Sequence, residues 1–553
     1  MIANRTNKRL ALFMGFAVVF LAALLARAFY VQVIAAPGLQ EKADSQHIRT
    51  VELDAPRGVI YDRDGEELAI SQSMATVYAN PGQIDDPAAV ARQLAPIVGR
   101  SAGELLTKLT KESGFEYLAR KIDPASGQEI EDLKIPGVGV CSEDKRVYPK
   151  GALAPQLLGF VGTDNEGLAG VEKEYEQVLA GRPGSLQVVS DPAGNRLATV
   201  SVEEARAGDS ITLTIDEDIQ FETERVLADA VKEFQAKKAC AVVIDPSSGE
   251  ILAMGNTPSF DTNAFGSVEE QHRRNSVVTD QFEPGSTFKM VVTAAALEAG
   301  LVSPDTTFSL GREIQVYDRV VHESHEVIPA VRELTVTQIL AQSSNVGTVK
   351  LGLEVGKKRL VEMIRKFGFT EPLGIDFPGE AAGQMLAPEK WSGTTIANVP
   401  IGQGIAVSPL QLVAAYAAIA NNGQLVQPHL VRDGGERWTR RVLSETVAAQ
   451  LRDMLTVTVS GGTGKEAQVK GYAVAGKTGT AQKVKVDGSG YDENRYIASF
   501  VGMVPAGAPR LVILVVVDEP ANAHLGAYVA APAFAKIADF ALKRLGIAPT
   551  AAE

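Results

Sequence analysis

Between Leu10 and Ala26 the chain carries no charged residue, and after Arg27 it stays apolar to Ile34. A helix rising about 1.5 Å per residue over such a stretch matches the hydrocarbon thickness of a bilayer. Arg5, Lys8 and Arg9 flank its start, and no acidic residue occurs before Glu41. The positive-inside rule therefore keeps a short tail, 1–9, in the cytoplasm and makes 10–34 a single-pass anchor. Ala26-Arg27-Ala28 also fits a cleavage site, so a removable signal peptide is the competing reading. The apolar stretch exceeds a usual signal core, which favours the uncleaved anchor. Both readings export the rest of the chain across the cytoplasmic membrane, into the periplasm or the exterior.

The 553 residues are too many for one domain and imply two or three folded units. With 22% charged and 45% hydrophobic residues they are globular units. The net charge of −13 disfavours a nucleic-acid partner, because no basic face easily dominates that balance. Cys141 and Cys240 lie far apart and form neither a disulfide framework nor a zinc pattern; both read as small buried hydrophobes.

Past the anchor, residues 35–210 show strand-like runs around the Asp64-Gly65 turn and apolar periodicity from Asp85 to Lys111 that predicts a helix carrying Val90, Leu94, Val98 and Leu105. No catalytic constellation stands out there, so the region reads as a non-catalytic spacer or docking region. From Thr212 the pattern changes. Asp216 is placed to cap a helix with Ile219, Val226, Leu227, Val231 and Phe234 on one side. A hairpin follows, Ala239 to Ile244 and Ile251 to Met254 around Asp245-Pro246-Ser247-Ser248-Gly249. A long helical region then extends to about Leu455. Strands return at Tyr472–Gln482, Tyr496–Val504 and Leu511–Val517, before a closing helix from Pro532 to Leu545. Residues 211–545 are thus expected to form one α+β domain on a mainly antiparallel sheet flanked by helices, with 546–553 a tail.

Three polar clusters punctuate that domain. Pro284-Gly285 is a turn, and the Ala/Val-rich run after Ser286 is a helix on which Lys289 shares the serine's face. An amine in apolar surroundings near the positive end of a helix favours its neutral form and can take a proton from the hydroxyl. Taken alone, Ser-x-x-Lys also fits an ordinary surface pair. Ser343-Ser344-Asn345 follows an apolar helical run. Lys477-Thr478-Gly479-Thr480 lies in a small-residue strand whose backbone groups are open to a bound peptide. Gly471 to Thr478 also spells a phosphate-loop pattern, but the preceding strand and following helix are missing, and an exported domain has no nucleotide supply. His322-Glu323-Ser324-His325 has metal-ligand spacing without a third ligand and reads as a solvated loop.

Ser-x-x-Lys, Ser-x-Asn and Lys-Thr-Gly, in this order and on helix start, loop and strand, is the combination of penicillin-binding proteins and their β-lactamase relatives. The chain resembles a class B penicillin-binding protein over nearly its whole length, including Arg57 to Ala69, Arg146-Val147-Tyr148-Pro149 and Ile401-Gly402-Gln403-Gly404. Asn345 and Gly476 to Gln482 resemble the septal (FtsI/SpoVD) type. No glycosyltransferase domain fits between the anchor and Arg57.

The resemblance implies a membrane-anchored pedestal or dimerisation domain, 35–210, and a serine β-lactamase-like transpeptidase domain, 211–545. It implies D,D-transpeptidation of peptidoglycan stem peptides through an acyl-enzyme that β-lactams also form, with an amine as acceptor. By resemblance Ser286 is the nucleophile, Lys289 the general base, Ser343 a proton shuttle and Asn345 a partner of Lys289 and of a substrate amide. Lys477 supplies charge near the substrate carboxylate, Thr478, Gly479 and Thr480 line the substrate, and the N–H groups of Ser286 and Thr480 form the oxyanion hole. Which group takes the serine proton is contested for the family. No metal or other cofactor is implied. The implied partners are a SEDS-family glycosyltransferase and other divisome membrane proteins. An elongation-type transpeptidase, or a divisome scaffold that activates a polymerase, are the alternatives.

Overall fold

The computed structural model describes residues 2–36, 48–53, 55–190, 196–323, 331–485 and 487–549. The chain forms two compact units: Met1–Pro56 with Gly181–Gly208, and Arg57–Ala180 with Asp209–Glu553.

In the first unit the apolar stretch is helical from Ile2 to Phe29 and continues as a π-turn, Tyr30–Ile34. Asn7–Ile34 is long and apolar enough to cross a membrane. The unit also holds a three-stranded antiparallel sheet, with Gly184–Ser190 between Ile48–Leu53 and Arg196–Glu203.

The second unit contains the long strand Glu67–Ala79, which pairs with both Glu116–Ile122 and Val138–Val147. Asp85 to Lys111 forms two helices where the apolar period predicts one. Pro87–Val98 is closed by Gly99 at φ 65°, and Ala102–Leu109 is opened by a reciprocal capping box between Ser101 and Glu104. Leu94, Leu105 and Leu118 pack beneath them. Cys240 is buried, but Cys141 is exposed, contrary to the expectation for both cysteines: it lies on the outward-facing part of Val138–Val147.

The same unit carries a fully buried ionic cluster. The carboxylate of Glu172 accepts from Arg57 Nη2 at 2.9 Å and from Arg146 Nε at 2.6 Å, and Tyr148 OH donates to it at 3.3 Å. Arg146 Nη1 also donates to the carbonyl of Gly58 at 2.8 Å.

The main sheet has five strands, every pair antiparallel, in the order Ile251–Thr257, Lys238–Ile244, Leu511–Asp518, Tyr491–Val504, Ala475–Val484. Residues alternate between its two faces, as the strand period requires. Ala241, Val243, Ile513 and Val515 pack with the helices Glu217–Phe234 and Ala531–Arg544. Cys240, Val242, Val512 and Leu514 pack with the helices Lys289–Glu298 and Pro409–Ala420 on the other face. Both faces are covered, so the strands read as continuous apolar runs. Asp216 caps its helix by accepting from Ile219 N at 3.1 Å. Ala475–Val484 is the last strand, and no strand among the described residues pairs with its outer edge.

Candidate active site

Ser286 lies in a short 3₁₀ turn, Gly285–Phe288, that leads into the helix Lys289–Glu298. Gly285 has φ 55°, and the neighbouring Gly402, at φ 78°, leaves no room for a side chain: a Cβ there would lie 2.2 Å from the carbonyl oxygen of Gly285. Only glycine tolerates that approach. The turn is anchored on both sides, Thr287 Oγ1 donating to Pro284 O at 2.7 Å and Tyr416 OH to Thr287 O at 2.8 Å. Ser286 itself is half-buried.

From Lys289 to Leu297 every helix residue is buried, because the helix runs through the core and not along the surface. Lys289 is therefore 0% exposed. Its ammonium nitrogen donates to Ser343 O at 2.5 Å, to Asn345 Oδ1 at 2.7 Å and to Ser343 Oγ at 3.2 Å. Burial pushes the amine down to about 7, against an upward pull from the Glu323 carboxylate. An amine so tuned accepts a proton near neutral pH.

Ser343 and Asn345 reach Lys289 from the join between two helices, Val336–Ala341 and Asn345–Lys366. Ser343 holds φ 58°, an uncommon conformation for a non-glycine residue, and its carbonyl accepts from Lys289. Ser344 caps the second helix by accepting from Gly347 N at 3.0 Å.

The third segment is the edge strand. Lys477 is 0% exposed and donates to Thr478 O at 3.2 Å. Burial, and then repulsion from Lys289, hold its amine well below the ordinary lysine value. The Lys-Thr pair sits within a strand, the wrong setting for a phosphate loop. Gly479 faces Ser499 across the ladder, and a Cβ on it would lie 2.3 Å from Ser499 Oγ and 3.0 Å from Thr287 Cγ2. Glycine thus lets the strand and the Ser286 turn close on each other. Thr480 Oγ1 accepts from Gly526 N at 3.0 Å, and Thr478 Oγ1 shares a 3.1 Å hydrogen bond with Thr463 Oγ1.

A cleft of about 920 Å³ is lined by Ser286, Ser343, Asn345, Thr478 and Thr480. Its walls add residues that sequence reasoning missed. Glu283 accepts from Gly404 N at 2.8 Å and from Tyr491 OH at 2.9 Å, and Tyr496 stacks on His524. The contacts of Glu283 span more than a hundred residues of sequence, and no local pattern signals them. His322 is exposed, its ring beside Glu313 at 3.1 Å, and His325 lies outside the described residues.

Two family models match the chain: the penicillin binding protein transpeptidase domain over residues 239–539 and the penicillin-binding protein dimerisation domain over 52–213. The probable peptidoglycan D,D-transpeptidase PbpC of Pseudomonas aeruginosa is 36% identical over 99% of this chain and 97% of its own. Peptidoglycan D,D-transpeptidase FtsI of Escherichia coli is 34% identical over 99% of this chain and 94% of its own. The crystal structure of penicillin-binding protein 3 of Mycobacterium tuberculosis complexed with aztreonam covers 90% of this chain and 98% of its own, with TM-score 0.70 and 31% identity. With both family domains in order and full-length relatives on either side of a shared fold, the chain belongs to the class B penicillin-binding proteins.

Proposed function

We propose that the chain is a serine-type peptidoglycan D,D-transpeptidase of the septal type, which cross-links stem peptides and is acylated by β-lactams. The observation that carries this reading is the buried amine of Lys289. It is held by Ser343 and Asn345 and lowered to about 7, one turn from a half-buried serine in an open cleft.

Ser286 attacks the penultimate D-Ala carbonyl while neutral Lys289 takes its proton. The N–H groups of Ser286 and Thr480 receive the developing oxyanion, a contribution of roughly 3–4 kcal/mol per donor. Collapse expels the terminal D-Ala, Ser343 relaying the proton to the leaving amine. Asn345 orients Lys289 and the substrate amide. Burial and Lys289 lower the amine of Lys477, and a substrate carboxylate docking at Thr478 and Thr480 favours its charged form. An amine from a second stem peptide then resolves the ester. The outer edge of Ala475–Val484, unpaired among the described residues, supports binding of an extended peptide by strand addition.

The helix Asn7–Ile34 holds the chain in the cytoplasmic membrane with its N-terminus inside and the catalytic domain outside, a topology favoured by Lys8 and Arg9. Residues 35–210 form the pedestal and 211–545 the catalytic domain, a division supported by the two family models. The pedestal and anchor meet a SEDS-family glycosyltransferase and other divisome proteins. Labelling the full-length protein with a fluorescent penicillin tests the enzymatic reading: wild type takes the label and Ser286→Ala does not. Equal labelling of the two proteins sinks the nucleophile assignment. Depletion in cells tests the septal role, with filaments expected and rounded cells pointing to elongation.

A further inference from the structure

We propose that His322 and Glu323 form a positioning clamp for the Ser-x-Asn turn, fixing Asn345 with its amide oxygen toward Lys289. The inference rests on the transpeptidase reading and deepens it.

An asparagine amide has a donor end and an acceptor end, and only the acceptor end serves a protonated lysine. Asn345 Nδ2 donates to the backbone carbonyl of His322 at 3.0 Å, which leaves Oδ1 to accept from Lys289 at 2.7 Å. The carboxylate of Glu323 holds the backbone in place for this. Its Oε2 accepts from Asn345 N at 2.8 Å, and its Oε1 accepts from Ser344 Oγ at 2.5 Å and Arg332 Nη2 at 2.7 Å. The Glu323 side chain is 4% exposed. A carboxylate on the first N–H of the helix Asn345–Lys366 is also favoured by the helix dipole. Charge-assisted bonds of this kind are shorter and stronger than neutral ones.

The clamp acts through charge as well as position. Lys289 is surrounded by Ser343 and Asn345, repels Lys477, and feels Glu323 as the carboxylate that favours its protonated form. Arg332, from the strand Val331–Thr335, offsets that carboxylate. The His322 imidazole points to Glu313 and takes no part. Glu323 therefore raises the amine of Lys289 and Arg332, paired with that carboxylate at 2.7 Å, tempers it: losing the Glu323 charge lowers the amine, and losing the Arg332 charge leaves the carboxylate's upward pull unopposed.

The test is the pH profile of the acylation rate constant for full-length protein in detergent, read with a fluorescent penicillin and normalised to the labelled fraction. Glu323→Gln is expected to lower the plateau about tenfold, from the loss of hydrogen bonds to a charged group. It should also move the rising limb to lower pH. Arg332→Gln should move the limb to higher pH, and Glu323→Asp should restore the limb while recovering the plateau only in part. A wild-type profile for Glu323→Gln, a lowered plateau with the limb unmoved, or limbs that shift the same way in both variants overturns the clamp. Failure of wild type to label would instead remove the underlying transpeptidase reading.

Discussion

The second unit buries two clusters of charge, and they are built on opposite principles. Around Glu172, two guanidinium groups meet a carboxylate at 2.9 and 2.6 Å, all three side chains 2% exposed or less, and Arg57 also reaches Glu176 at 2.8 Å, so the cations face two anions that compensate them. Around Lys289, the nearest atoms are two serine oxygens and an amide oxygen, all uncharged, and a second buried lysine lies close enough to repel it. Paired buried charge braces structure; an amine left without a charged partner in a dry site is pushed toward its neutral form. The difference separates a structural cluster from a chemical one without reference to any motif.

The contrast breaks first at the chemical cluster. Ser286→Ala should abolish penicillin labelling, a loss of at least about a thousandfold, while leaving the melting curve of the protein near wild type. Lys289→Arg should cost nearly as much, about a thousandfold or more, because a guanidinium stays protonated and cannot serve as base. Should the Lys289→Arg variant acylate at about a tenth of the wild-type rate, the amine of Lys289 would be a spectator.

The structural cluster predicts the reverse pattern. Glu172→Gln leaves Arg146 buried without its anion and Arg57 with Glu176 alone, and should destabilise folding by about 3–5 kcal/mol in chemical denaturation. The acylation rate constant of the remaining folded protein should stay within about twofold of wild type. A large change in that rate constant would merge the two clusters functionally. At the boundary between strand and turn, Gly479→Ala forces its Cβ against Ser499 and Thr287, at a cost of about 1–3 kcal/mol in stability and a slower acylation. The smallest effect belongs to the cap: Asp216→Ala should lose about 1 kcal/mol, with acylation unchanged.

The chemical cluster was largely legible in the sequence because its parts are local. Ser286 and Lys289 share one turn, Ser343 and Asn345 one loop, and Lys477 to Thr480 one strand, each recognisable by residue type and spacing. Asp216 and the hairpin at Asp245 were legible for the same reason. The paired cluster was not, since Arg57 and Glu172 meet across 115 positions and no periodicity records such a pairing. The break between Pro87–Val98 and Ala102–Leu109 is marked by Gly99 and the Ser101/Glu104 box, but the apolar period runs through both helices and masks the stop. In the sequence Glu323 stands out only between two histidines, because the partner that gives it meaning, the turn at Ser344, is formed by the fold.

Desolvation, unopposed by a directly paired carboxylate, makes Lys289 a base at neutral pH. The most direct measurement is the acylation rate constant of the full-length protein by a penicillin from about pH 5 to about pH 10. Because the neutral amine is the active form, the rate should rise with pH, reach half its plateau near 7, and fall about tenfold per unit below that. A profile that is flat across this range, or whose half-point lies above about 9 where an ordinary lysine titrates, contradicts the account.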